Sequence, residues 1–296
     1  MGILLFFVFY YAAEKRDAFQ QAFFSIGGVS ITFATLFILI AKLALVENMR
    51  IACAKFSINV SFQDSFRIYN FTQLGKYVPG SIWHIVSRVS MLRDKGHSLS
   101  SIRDALIAEN VALLLVACTL AAGSLMATIW TGLLRIDIGQ ESAFGLQYLA
   151  EPIVWLLCLL ILLAGLMLWL FCRRHRNVLS WMKSLIPSLR TASVLLPAWL
   201  LLGTSLWITA VPFIESPGPY HYFYVVGLFS IAFVVGLLAP FAPGGLGVRE
   251  YILVEGLTYL IAFDQAVVLS VTSRVLYFGS ELLLGAFSAG LRKPGG

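Results

Sequence analysis

Two short stretches of this sequence set charged side chains beside Pro-Gly interruptions in otherwise apolar surroundings. The first runs Gln73-Leu74-Gly75-Lys76-Tyr77-Val78-Pro79-Gly80-Ser81-Ile82-Trp83-His84, with Arg88 following. The second runs Pro240-Phe241-Ala242-Pro243-Gly244-Gly245-Leu246-Gly247-Val248-Arg249-Glu250. Proline removes a backbone donor and glycine relaxes the chain, so both stretches should interrupt helices. A helix restarting after a break presents free N–H groups and the positive end of its dipole, which suits phosphate. Arg88 and Arg249 follow their breaks by two turns or less and could add a forked contact to the same group. The chemistry suggested is anion recognition. The simpler alternative is that each Pro-Gly is a tight turn at a membrane surface.

Other ionisable residues lie inside apolar runs: Lys42, Glu109, Glu255, Arg274 and Glu281. A charge at mid-bilayer is costly and usually has a partner or a function. Lys42 is placed near a helix end, where a lysine snorkels. Glu109, beside Asn110, sits near the start of its helix and could reach the first break. Arg274 and Glu281 are two turns apart on one face and could pair with Glu250 or Glu255, or line a polar path. Candidate binding residues are therefore Lys76, Tyr77, Gly80, Trp83, Arg88, Glu109, Gly244, Gly245, Arg249, Glu250, Arg274 and Glu281.

Catalytic signatures are missing from the sequence. There is no H-E-x-x-H, no phosphate-binding Walker loop and no G-x-S-x-G. Gly203-Thr204-Ser205 reads as small-residue helix packing. Cys53, Cys118, Cys158 and Cys172 form no C-x-x-C pair, so they read as packing residues rather than a metal or redox site. His84 has no second histidine or carboxylate at metal spacing. Neither a metal nor a cofactor is expected. Asn59-Val60-Ser61 and Asn70-Phe71-Thr72 match the glycosylation triplet but fall on the side assigned to the cytoplasm.

The elements that position these residues follow from composition. The 296 residues are 59% hydrophobic and 12% charged, with mean hydropathy +0.86. Soluble domains carry about 25% charged residues. Apolar runs near the roughly 20 residues needed to cross a bilayer recur along the chain. They are apolar all round, so they are helices and not alternating barrel strands. Helices are expected near 1–13, 24–46, 105–133, 152–172, 192–214, 221–239, 247–262 and 265–289. The mixed segment 68–92 is expected to be a re-entrant hairpin, and 240–250 a broken helix. The fold class is thus all-α: a polytopic membrane domain over 1–296 with about eight spans and one hairpin, and no soluble domain. Met1–Ala13 has no basic leader, so it reads as a first helix, short of its beginning, and not as a signal peptide.

Basic loops set the orientation. Residues 173–190 carry Arg173, Arg174, Arg176, Lys183 and Arg190 and no acid, so they should be cytoplasmic. Their stripe of Trp181, Met182, Leu185, Ile186 and Leu189 suits the membrane surface. Residues 134–151 and 215–220 should lie outside, and 93–104 inside with the tail bearing Arg292 and Lys293. Both termini are then cytoplasmic, in the plasma membrane; Lys15 and Arg16 fall in an outside loop. The net charge of +6 belongs to these loops, not to a nucleic-acid-binding domain.

At the two breaks the sequence resembles the transmembrane region of lysylphosphatidylglycerol synthases and its stand-alone relatives, the flippase-like proteins. The resemblance rests on Lys76–Trp83 with Arg88, continues past Gly96 into the helix with Glu109, and closes on Pro243–Glu250. Order and spacing fit about residues 20–290. The resemblance implies an all-helical fold with re-entrant segments and movement of a lipid between leaflets. The best-known members move aminoacylated phosphatidylglycerol and carry a soluble synthase domain. This chain ends at Gly296 just after its last apolar run, so lipid aminoacylation is not expected. Stand-alone members are associated with glycosyltransferases and lipid-linked sugars. The expected partners are thus anionic phospholipids or polyprenyl-linked sugars. The expected function is flipping or binding of such a lipid, downhill or ion-coupled. Two alternatives are a membrane-embedded transferase, using Glu109 or His84 as acid or base, and a non-catalytic partner of a glycosyltransferase.

Overall fold

A computed structural model of the protein describes residues 16–78, 82–130, 176–239 and 242–290. Every regular element among them is helical. In chain order they are α1 (Arg16–Ile26), α2 (Gly28–Lys55), α3 (Phe62–Gln73), a 3-10 turn (Leu74–Tyr77), α4 (Trp83–Arg93), α5 (Leu99–Trp130), α6 (Arg176–Leu185), α7 (Leu189–Ala210), a 3-10 turn (Val211–Phe213), α8 (Pro219–Leu238), a 3-10 turn (Pro243–Gly245), α9 (Val248–Leu257) and α10 (Phe263–Gly290).

Among the described residues, five helices are long and apolar enough to cross a membrane: 28–55, 99–128, 189–213, 219–238 and 263–290. Their outward faces are apolar. On α2, Val29, Phe33, Leu36, Ile40 and Leu43 are all exposed, while Ala34, Ile38, Ala41 and Leu45 are buried. On α10, Val275, Leu283 and Phe287 stand out in the same way. A water-facing helix carries its polar residues on that side. An apolar outer stripe over a buried inner one is the pattern of a helix solvated by lipid.

The structure revises several expected boundaries. α2 runs on through Glu47-Asn48-Met49-Arg50 to Lys55, well past the expected end at 46. Arg50 forms a two-armed pair with Glu47, Nε to Oε2 and Nη2 to Oε1, both at 2.6 Å, which settles those charges on the helix surface. α5 begins at Leu99, led by Ser98, whose hydroxyl accepts from the Ser101 N–H at 3.2 Å. The segment 247–262, expected as a full span, holds only the ten-residue α9. Ten residues rise about 15 Å, half of a bilayer core. The expected helices at 1–13 and 152–172, and the loop 134–151, lie outside the described residues.

α2 packs along α7, and α8 packs against α5, α7 and α9. Close approach relies on small residues. A Cβ on Gly203 of α7 would sit 2.9 Å from the Val226 Cα of α8, so the small-residue reading of Gly203 holds. α10 contacts α1, α2, α3, α7 and α9, which makes it the strut of the bundle. The stripe expected on the surface helix divides: Leu185 is buried, whereas Ile186 and Leu189 are exposed. Lys55 ties this region to the end of α2 by donating to the Ile186 carbonyl at 2.8 Å.

Candidate functional site

One face of α10 organises the site. Ser270, Ser273, Arg274, Tyr277 and Glu281 follow one another at helical spacing and point toward the interior. Against this face come the first break through the 3-10 turn 74–77, the second break through the turn 243–245 and α9, and Lys42 from α2. The two interrupted segments meet. A Cβ on Gly244 would lie 3.1 Å from the Tyr77 ring, and Gly244 has φ +60, a conformation that favours glycine. The Tyr77 ring also stacks edge-on against Phe278, with centroids 4.7 Å apart.

Glu281 gathers the first group of charges. Its side chain is 3% exposed. Lys42 Nζ and Lys76 Nζ both donate to Oε1, at 2.5 and 2.6 Å, and the Tyr77 hydroxyl donates to Oε2 at 2.7 Å. Lys42 also sits 3.6 Å above the centre of the Tyr277 ring, and Lys76 5.3 Å from it. Lys42 therefore does not snorkel. It is 2% exposed and lies midway along the 28 residues of α2, because that helix continues to Lys55. A four-carbon stem at mid-helix cannot reach an interface, so the ammonium is paired inside instead.

The second group joins α9 to α10. Arg274 donates from Nη2 to the Gly244 carbonyl at 2.7 Å, and its Nε lies 3.3 Å from Glu250 Oε1. Of the partners offered by the sequence, Arg274 thus takes Glu250, while Glu255 is exposed. Glu250 Oε2 accepts from the Gly247 N–H at 2.5 Å. The N-terminus of α9, expected to present N–H groups to an anion, therefore has one of them capped by its own carboxylate.

Arg249 differs from the other buried cations. It is 8% exposed. Its guanidinium lies 4.3 Å from the Phe233 ring centre, 5.3 Å from that of Tyr277 and 5.8 Å from that of Phe229. Among the described residues it has no ion pair and no hydrogen bond. Close approach of α8 is needed to hold it there: a Cβ on Gly236 would come within 2.3 Å of Arg249 Cγ. Arg249, Glu250, Ser270, Ser273, Arg274 and Tyr277, with Phe229 and Leu253, line a cavity of about 10 Å³.

Arg88 and Glu109 are placed elsewhere. Arg88 Nη1 donates to both Glu109 oxygens, at 2.8 and 2.9 Å, and Nε donates to Thr72 Oγ1 at 3.3 Å. Both side chains are 3% exposed. The guanidinium lies 4.8 Å from the Tyr69 ring centre, and Asn48 Nδ2 donates to the Glu109 carbonyl at 3.4 Å. This pair clamps α3, α4 and α5 together. Glu109 does reach the first break region, as expected, but both its oxygens are committed there.

The expected residues thus divide. Lys76, Tyr77, Gly244, Gly245, Arg249, Glu250, Arg274 and Glu281 converge on one region. Arg88 and Glu109 form a separate buried pair, Trp83 is 48% exposed, and Gly80 lies outside the described residues. Lys42 and Tyr277 belong to the site and were not among the expected residues. Asn70 is buried, with its amide donating to the Phe66 carbonyl at 2.9 Å, which leaves no room for a glycan. No group of three or more His, Cys, Asp or Glu side chains able to hold a metal occurs among the described residues. Compared with family models the chain matches none, and compared with curated proteins it matches none.

Proposed function

We propose that this chain is a flippase-like membrane protein, akin to the transmembrane region of lysylphosphatidylglycerol synthases, that binds an anionic lipid headgroup and moves it between leaflets. In this reading the chain lies in the plasma membrane with about eight spans and both termini cytoplasmic. Residues 68–92 form a hairpin that enters the membrane and returns to the same side. The short α9 is the second half of a broken segment around 240–250. Paired interruptions at membrane depth are typical of transport sites.

The observation that carries the reading is the meeting of the two breaks around an excess of buried cations. Among the described residues, Lys42, Lys76, Arg249 and Arg274 face two carboxylates, Glu250 and Glu281. An interior with more cations than carboxylates favours an anionic ligand, because buried charge is costly until neutralised. The contacts of Tyr77 with Gly244 and Glu281, and of Arg274 with Gly244, would close the route between the breaks. A headgroup phosphate competing for Lys76 and Arg274 would open it. Arg88 supports the site by holding the hairpin to α5.

Reconstitution tests this. Purified protein in vesicles is given fluorescent phosphatidylglycerol or a short polyprenyl phosphate, and leaflet exchange is followed by quenching. Exchange faster than in empty vesicles, and slowed at least tenfold by Lys76→Gln or Arg274→Gln, is expected. Rates equal to those of empty vesicles with both lipids would end the proposal.

A further inference from the structure

We infer that the cavity beneath Arg249 is a binding site for a single small monovalent anion, of halide size, held between α8, α9 and α10. A buried cation without an ion-pair partner among the described residues lies beside hydroxyl-bearing residues and a small space. Arg249 has neither an ion pair nor a hydrogen bond among the described residues, only three aromatic rings about its guanidinium. Ser273 and Tyr277 line the same cavity, and neither hydroxyl makes a hydrogen bond among the described residues. Three residues whose donors are unengaged therefore line one space. A guanidinium and two hydroxyls are the donors that suit an anion.

The remaining lining groups fit this assignment. Glu250 would repel an anion, but its carboxylate is already engaged by the Gly247 N–H and by Arg274. Ser270 is occupied with the Glu250 carbonyl at 3.2 Å. Phe229 and Leu253 close the apolar side. Arg249 and Arg274 against Glu250 leave one net positive charge, which one monovalent anion balances. Size selects the class. A space of about 10 Å³ is about that of one water-sized particle. A halide enters with a small outward shift of its donors, whereas a phosphate with four oxygens does not.

The site shares Arg274 with the contacts a lipid headgroup would use, but Arg274 is engaged there by the Gly244 carbonyl and Glu250, and Lys76 does not line it. The inference does not rest on the transport reading: a chain that binds halide and moves no lipid would keep the one and lose the other.

Thermal unfolding of the purified full-length chain in detergent tests the site. Sodium gluconate is replaced stepwise by sodium chloride or bromide at constant ionic strength. Binding to the folded state raises the midpoint in a saturable way, by about 2–4 °C or more at saturation. Dimethyl phosphate in place of halide should give no such rise. Ser273→Ala should raise the half-saturating halide concentration, and Arg249→Gln should abolish the response. Arg190→Gln, at an exposed arginine, should retain it. Because Arg249→Gln could fail to fold, bromide is also located by anomalous scattering from crystals of the unaltered chain. No saturable halide response, an equal response to dimethyl phosphate, a full response in Arg249→Gln, or bromide bound away from Arg249 would each overturn the inference.

Discussion

Replacing Glu281 by Gln removes the carboxylate that, among the described residues, both Lys42 and Lys76 touch. Both ammonium groups lie within 2.6 Å of the same oxygen, and Lys42 is 2% exposed. The substitution keeps the size of the side chain and one acceptor, so it isolates the charge. The variant must hold two unpaired ammonium groups inside, and removing one partner of a buried pair costs ~3–5 kcal/mol. Glu281→Gln should therefore lose ~3–5 kcal/mol. Lys76, at 16% side-chain exposure, can relieve part of this by turning outward, which places the loss at the lower end. The assay is denaturant unfolding in mixed micelles, read by tryptophan fluorescence, for the wild type, Glu281→Gln, Lys42→Met and the double variant. The double variant removes the orphaned charge with its partner and should recover at least ~1 kcal/mol relative to Glu281→Gln. A loss below ~1 kcal/mol in Glu281→Gln, or no recovery in the double variant, would refute the buried triad.

The other predictions address the contacts around it. Arg88→Met leaves Glu109 buried and unpaired and should cost ~3–5 kcal/mol. Arg249→Met orphans no carboxylate and should cost at least ~1 kcal/mol less, so the ranking in the same assay distinguishes a clamp from a free cation. Gly244→Ala meets both a left-handed backbone and the Tyr77 ring at 3.1 Å, should cost ~1–2 kcal/mol from the backbone alone, and should slow lipid exchange by parting the breaks. Gly236→Ala places a Cβ 2.3 Å from Arg249 Cγ and should displace that side chain, seen as loss of the halide response while Gly279→Ala, with open space around its Cβ, retains it.

Much of the site was legible because charge in an apolar run is conspicuous. Arg274 and Glu281 could be singled out by burial cost alone, and Lys76, Tyr77 and Arg249 by their place beside the two Pro-Gly breaks. What could not be read was the third dimension. Arg88 and Lys76 look alike in sequence, each a cation near the first break. Yet one closes on Glu109 and the other on Glu281, a choice made by helix packing. Lys42 was misplaced because Glu47, Asn48 and Arg50 resemble a loop. They are a helical turn whose charges pair with each other, so α2 continues and its lysine falls in the middle. Tyr277 gave no signal, since an aromatic residue in an apolar helix is ordinary. It matters only because Lys42, Lys76 and Arg249 approach the same ring.

That shared ring has a mechanical consequence. Lys42 and Lys76 of the Glu281 cluster and Arg249 all approach Tyr277, so the two groups of charge share one ring of α10. Electrostatic attraction to the ring is about 0.5–2 kcal/mol per cation, larger when desolvated, and it comes from the face and not from the hydroxyl. Tyr277→Phe should therefore leave the stability of the Lys42–Glu281 pair within ~0.5 kcal/mol of wild type while weakening halide binding at Arg249, because only the cavity side uses the hydroxyl. Tyr277→Leu removes the ring and should destabilise both. Unfolding and halide titration on the two variants separate these effects. If Tyr277→Phe lowers stability as much as Tyr277→Leu does, the hydroxyl has a structural role and the division of labour drawn across this ring is wrong.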